Sequence, residues 1–199
     1  DLGLYENTSV IFTSDHGTYL GDHGFVGKRH PLFEEVTLVP LMVRLPDSEG
    51  AKPERLGALI QSPDLMPTIL DMAGVRSPSS VQAESFLPLI RQETQQREIA
   101  VSYSSYRNSL NESKSPSWIT VTSKEWAFLT ARSDMPAVDE VGRPMESQLL
   151  YHLPTDPYQK RNLYHEKKEI AEELRVKMFD LLKSMGAKPE ILNNWLPND

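Results

Sequence analysis

Cysteine is absent from the 199 residues. That excludes a disulfide framework and any thiolate-ligated zinc site. It leaves the compartment open, because a chain without thiols suits oxidising and reducing surroundings alike. Long apolar runs are missing too, and none approaches the ~20 residues that a membrane-spanning helix needs. Positive charge is in short supply: 21 Lys and Arg face 28 Asp and Glu, a formal net charge of −7. Such a chain lacks the basic face on which non-specific nucleic-acid binding depends, so no nucleic-acid partner is expected. Any anionic ligand must be drawn in by a local cationic site against an unfavourable global field. Proline, by contrast, is plentiful at 15 residues, which points to many loops and turns.

The chain is long enough for one domain, or one and a half, with a real core. It opens on Asp1-Leu2-Gly3-Leu4-Tyr5, which reads as the last turn of a helix with Gly3 at its C-cap. The expectation is a sequence that starts within a domain. Ser9 to Thr13 is β-branched and aromatic with no polar alternation, the pattern of a strand buried on both faces in a parallel α/β sheet. A long loop from Thr18 to Glu35 follows, then a second buried strand from Val39 to Leu45 and a polar surface loop over 46–57. Ser62-Pro63-Asp64 opens a helix, with Ser62 as cap and Asp64 at the positive end of the dipole. Leu65, Ile69 and Met72 share its apolar face and Gly74 closes it.

From about Arg97 the pattern changes. Ile99–Tyr103, Trp118–Thr122, Trp126–Ala131 and Gln148–Leu153 are short strand candidates, with Ser123-Lys124-Glu125 as a hairpin turn. Their spacing predicts an antiparallel sheet. A final helix is predicted from Glu166 to Met185, with Ile170, Leu174, Met178, Leu181 and Met185 on one stripe. The chain thus divides near residue 95, into 1–95 as the end of a larger α/β core and 96–199 as a small α+β subdomain.

Two strings carry chemistry. Thr13-Ser14-Asp15-His16-Gly17 places a carboxylate and an imidazole at the carboxyl end of a strand, where open α/β sheets bind ligands. Leu20-Gly21-Asp22-His23-Gly24-Phe25-Val26-Gly27-Lys28 is an adaptable glycine-spaced loop ending in a compact positive charge. Taken singly, each has an ordinary structural explanation. Tyr103, Tyr106, Arg107, Trp118 and Trp126 are candidates for a cleft, with packing of the small sheet as the simpler account. Asn7-Thr8-Ser9 and Asn111-Glu112-Ser113 match the glycosylation sequon, a short pattern that arises readily by chance.

Taken together, the order Asn7 to Gly17, Leu20 to Gly24, Gly27-Lys28 and Leu32-Phe33-Glu34-Glu35 closely resembles the C-terminal signature of the type I sulfatases. Val39-Pro40-Leu41, Asp64, Pro67 to Leu70 and Ala73-Gly74 continue the likeness, as does Leu150 to Pro157, ending at Asn162-Leu163. The resemblance implies the C-terminal part of an alkaline-phosphatase-like α/β sheet domain, followed by a small antiparallel sheet with a packing C-terminal helix. It implies that Asp15 and His16 are ligands of a divalent metal, calcium in the first instance and manganese as the alternative, given the His. It assigns Lys28 to a sulfate oxygen, as a binding and catalytic group, and sets His23 beside the substrate, with Glu34 and Glu35 left to loop structure. The family's nucleophile is a formylglycine made within a Cys/Ser-x-Pro-x-Arg motif, and no such motif is present; Ser113-Lys114-Ser115-Pro116 is the nearest string. The expectation is therefore a sulfuric ester hydrolase whose nucleophile half is missing from this chain, inactive alone and prone to self-association where that N-terminal part would pack. A phosphonate monoester or phosphodiester hydrolase of the same superfamily, and a non-catalytic scaffolding module, are the alternatives.

Overall fold

The computed structural model describes residues 2–28, 30–49, 53–93, 97–105, 117–139 and 142–196. Tyr106, Arg107 and the Asn111 sequon lie outside them. The chain separates into two compact units, one of residues 1–17 and 38–97, the other of residues 18–37 and 98–199. No helix among the described residues is long and apolar enough to cross a membrane.

In the first unit, β1 (Val10–Thr13) pairs with β4 (Leu41–Arg44) in antiparallel register, with Phe12 opposite Met42. The two strands form where the apolar runs predict them, but they pair antiparallel with each other as a two-stranded ribbon. Phe12, Val10 and Met42 are exposed, so burial on both faces is not realised. A two-stranded ribbon has one face to pack and leaves the alternate side chains outside.

The helix α2 (Leu65–Met72) follows a single 3-10 turn, Ser62–Asp64. Its cap is Gln61 and not Ser62: the Gln61 side chain meets the Asp64 N–H, and the Gln61 N–H donates to Asp64 Oδ2 at 2.8 Å. Asp64 does far more than meet the dipole. It is buried, it also accepts the Glu84 N–H, and Arg97 grips it through two bonds of 2.6 and 3.0 Å. The buried helix face is Asp64, Pro67 and Thr68, while Ile69 is exposed. Thr68 wins that face because its hydroxyl donates to Asp64 O and accepts from Phe86 N–H, beside α3 (Leu87–Ile90).

The second unit is built on an antiparallel meander of β5 (Ala100–Ser105), β6 (Ser117–Thr122), β7 (Trp126–Ala131) and β8 (Gln148–His152). The Ser123 turn forms as predicted, with Ser123 N–H donating to Trp126 O at 2.8 Å. Side chains alternate between the two faces of this sheet, and both faces are covered. One set, Trp118, Ala127, Leu129, Leu149 and Tyr151, packs on Tyr19, Phe25, Phe33 and Val36. The other, Ile119, Val121, Phe128 and Leu150, packs on Ala171, Leu174 and Met178 of α4 (Lys168–Ser184) and on Trp195. Met185 does not join the helix stripe; it is the residue that ends α4 and is exposed. Arg175 is buried there instead, its guanidinium bonded to Gln148 Oε1 at 2.7 Å and to Trp195 O. Beyond α4, Pro189 starts a short helix, α5 (Pro189–Asn193), and does not merely stop the previous one.

The stretch from Thr18 to Glu35 is more than a loop. It contains a small hairpin of β2 (Tyr19–Leu20) and β3 (Val26–Gly27), and Glu34 opens a single-turn helix, α1 (Glu34–Thr37). Tyr19 is fully buried; its hydroxyl donates to Pro31 O at 2.7 Å and accepts the Phe33 N–H at 2.8 Å. Burial pushes the phenol pKa up, so it stays a neutral donor and acceptor. Replacing Tyr19 by Phe would strand one buried carbonyl and one buried N–H. The expected cost is about 1–3 kcal/mol, read as a lower urea midpoint for the chain. An unchanged midpoint would show that the hydroxyl does not close this segment.

Candidate functional site

The Asp15–His16 pair stands just past the end of β1, in the first unit. Ser14 Oγ donates to His16 O at 2.9 Å and shapes the turn. The His16 N–H donates to Asp15 Oδ1 at 2.9 Å, and His16 Nδ1 lies 2.7 Å from Gly17 O. A carbonyl can only accept, so Nδ1 carries a proton. Nε2 lies 3.4 Å from Asp15 Oδ2. The His16 backbone N–H, and then the His16 side chain, hold the Asp15 carboxyl below its ordinary range. The carboxylate is ionised and 84% exposed, available to a cation from outside.

Two donors 3.4 Å apart match one edge of a coordination shell, since bonds of 2.3–2.6 Å at a right angle separate neighbouring ligands by about 3.3–3.7 Å. The carboxylate suits a hard divalent ion and the imidazole a borderline one. The Nδ1 contact to a carbonyl is the outer-shell contact that orients a metal-binding His. Among the described residues no third His, Asp or Glu joins them. The pair fits a divalent ion as part of a ligand set.

His23 and Lys28 belong to the second unit, in the Tyr19 hairpin. His23 has a left-handed backbone (φ 52°, ψ 15°), a conformation that costs roughly 1–3 kcal/mol in a residue with a Cβ. Contacts hold it there. Its ring stacks on Phe33 at 3.8 Å and 9°, and Tyr19 meets it edge-on at 6.2 Å. Its Nε2 lies 3.4 Å from Glu35 Oε2, with only 15% of the His23 and 21% of the Glu35 side chain exposed. Lys28 follows the positive-φ Gly27 and is exposed. Trp118 is buried in the sheet and Trp126 packs against the helix side, while exposed Tyr103 bonds Ser117 Oγ.

Sequence reasoning overlooked the role of Glu35 and of Gln159. Glu35 sits in α1 and faces His23, two residues after Phe33, which stacks on the same ring. Gln159 is buried at φ 49°, and its Oε1 accepts the Glu34 N–H at 2.7 Å. This explains the string from Leu150 to Leu163 in physical terms. Asp156 accepts the N–H groups of Lys160 and Arg161, and Asn162 Oδ1 accepts those of Leu150 and Tyr164. The string is a turn that closes the edge of β8 and delivers Gln159 to the start of α1.

The family description "N-sulphoglucosamine sulphohydrolase, C-terminal" matches residues 21–185. The chain is 30% identical over 190 residues to an endo-4-O-sulfatase of Bacteroides thetaiotaomicron, covering 92% of this chain and 37% of that protein. It is 38% identical over 92 residues to an N-acetylglucosamine-6-O-sulfatase of the same organism, 46% of this chain and 16% of that one. The chain therefore spans well under half the length of these relatives. Among solved structures, a 2-O GAG sulfatase superposes with a TM-score of 0.73 at 23% identity, covering 97% of this chain and 42% of its own. The phosphonate monoester hydrolase of Agrobacterium radiobacter superposes with a TM-score of 0.74 at 21% identity, covering 92% and 36%. These two likenesses show the shared fold.

Glu34 supplies a pH test of the α1 surroundings. Burial, and then the charge of Glu35, push its carboxyl above the ordinary range. Above that raised pKa the folded state holds a partly buried charge; below it the group is neutral and the cost is gone. Glu34→Gln is expected to raise the melting temperature at neutral pH, with the gain shrinking as pH falls through the raised pKa. A gain that persists unchanged at acid pH would contradict this, as measured by thermal denaturation across the range.

Proposed function

Because the chain belongs to the type I sulfatases, as a C-terminal portion with the alkaline-phosphatase-like fold, we propose that it supplies part of a sulfate-ester hydrolysing site. The observation that carries the reading is the Asp15–His16 pair, with the ionised Oδ2 and Nε2 3.4 Å apart and the ring fixed through Nδ1. In this reading Asp15 and His16 hold a divalent ion, calcium first and manganese as the alternative. When bound, that ion would supply positive charge toward a sulfuryl oxygen. Lys28 binds a sulfate oxygen and stabilises charge that spreads over the oxygens in the transition state. His23 contacts the ester. Two ligands make half a shell, so the other ligands come from elsewhere in the enzyme.

The nucleophile is assigned to the same missing portion, since this sequence has neither Cys nor Ser-x-Pro-x-Arg. The exposed Val10, Phe12 and Met42 of the β1–β4 ribbon are the natural seat for it, and self-association of the chain alone would cover the same apolar face. The endo-4-O-sulfatase and N-acetylglucosamine-6-O-sulfatase relatives favour a sulfated sugar as substrate. The likeness to a phosphonate monoester hydrolase sustains a second reading, cleavage of phosphonate monoesters or phosphodiesters.

The purified chain, supplied with calcium or manganese, is expected to leave an aryl sulfate and a matched aryl phosphonate unchanged. The enzyme carrying both portions is expected to prefer the sulfate. In it, Lys28→Ala should lower kcat/KM by roughly 100- to 1,000-fold, the scale of losing one charge-stabilising donor. Turnover by the chain alone, abolished by Asp15→Asn, would place a nucleophile here and refute the divided site. A preference for the phosphonate ester would favour the second reading.

A further inference from the structure

A helix on the surface of an independent unit keeps its polar residues toward water. The helix α2 does not. At about 3.6 residues per turn, Asp64, Pro67 and Thr68 mark its buried side, and Met66, Ile69 and Ala73 fall on the opposite one. Met66 is 50% and Ile69 53% exposed, and Ala73 is exposed as well. Leu65 and Leu70 flank them, half-buried. The two polar residues of the helix are engaged away from that side: Thr68 with Asp64 O and the Phe86 N–H, Asp71 with the Ser85 hydroxyl at 2.8 Å. The outer side of α2 is thus apolar throughout. A single exposed apolar residue is ordinary, but a helix that is apolar on both sides is one that a further layer covers.

The first unit needs such a layer. Both apolar cores described above are built from the second unit alone, whereas Val10, Phe12 and Met42 of the first unit are exposed, as Met66 and Ile69 are. The chain matches a C-terminal family description and covers 37% of the endo-4-O-sulfatase, so most of such an enzyme lies outside this chain. We infer that the outer side of α2, centred on Met66 and Ile69, is a docking surface for the upstream portion of the same enzyme, which meets it with an uncharged, apolar face. The inference rests on the divided-site reading above and adds a helical contact to the β1–β4 ribbon. It also accounts for Ile69, which the sequence pattern puts on the core face and the chain leaves outside. Asp64 and Thr68 hold the helix to its own unit, and the apolar side is turned to the partner portion.

The test places one reporter thiol on that side. The chain has no cysteine of its own, so Ile69→Cys reacts with a maleimide at one position of the 199-residue chain. Val176→Cys, exposed on α4, is the reference. Labelling is followed by peptide mass spectrometry in the chain alone and in the enzyme carrying both portions. Ile69→Cys is expected to label as fast as the reference in the chain alone and several-fold more slowly in the enzyme. Should Ile69→Cys not fold, Met66→Cys makes the same comparison. Equal rates at residue 69 in chain and enzyme would overturn the inference. So would protection that grows with protein concentration in either sample, because a second copy is then the occupant. Turnover of an aryl sulfate by the same enzyme separates the inference from the reading beneath it. Slow labelling in an enzyme that cleaves no sulfate ester upholds the surface and removes the sulfate-ester reading. Fast labelling in an enzyme that does cleave it removes the surface and leaves the reading.

Discussion

The Tyr19 hydroxyl is the contact on which the loop side of the second unit depends. It joins Pro31 O to the Phe33 N–H, so the chain between residues 19 and 33 is closed at its neck by one buried group. An open loop of that length would surrender much entropy on ordering. Here the cost is shared with burial of the Tyr19, Phe25 and Phe33 rings against the sheet. Thr120 Oγ1 adds a bond to Leu32 O at 2.8 Å, tying the same neck to β6. Lys28 stays exposed because the residues around it carry the packing.

That arrangement accounts for the unbroken burial of the central strands. A small antiparallel sheet ordinarily shows one wet face and a clear apolar–polar alternation. In this chain the hairpin segment covers one face and α4 covers the other, so β6 and β7 read as continuous buried runs. Polar residues inside form a short relay: Thr130 Oγ1 accepts from Gln148, and Gln148 in turn receives Arg175. Gln148 thus links sheet and helix, and the buried guanidinium is matched on both sides.

Much of this was legible beforehand. The strands of the meander, the Ser123 turn, α2 and the long helix all announce themselves through apolar period and turn chemistry, to within a residue or two. Three things were not. Pairing of β1 with β4 was hidden because a continuous apolar run fits a parallel or an antiparallel neighbour equally well. The face of α2 was misjudged because a hydrogen-bonded Thr68 and a bidentate Asp64–Arg97 pair outcompete Ile69 for the interior, and periodicity counts only apolar side chains. Glu35 reads as loop in the sequence because the imidazole it faces, His23, lies 12 residues earlier; ring stacking and a facing carboxylate leave no trace in local spacing. The Asp15–His16 and Gly27–Lys28 strings are visible as types, yet the Nδ1 contact that fixes the His16 ring is a property of the turn.

The acidic balance of the chain gives the last constraint. A net charge of −7 repels anions, so a sulfate-binding reading requires that nearby carboxylates be neutralised or turned away. Glu34 and Glu35 show two ways of doing so. Glu34 is pushed toward its protonated form by burial and by its neighbour, while Glu35 is turned onto an imidazole at 3.4 Å. Asp15 takes the opposite course: its charge is stabilised by backbone and imidazole and left in the open, which serves a cation and would oppose a bare sulfate. On the proposed reading, that exposed, stabilised carboxylate is a seat for a divalent ion. On the same reading Lys28, a monovalent point charge, takes the anion directly.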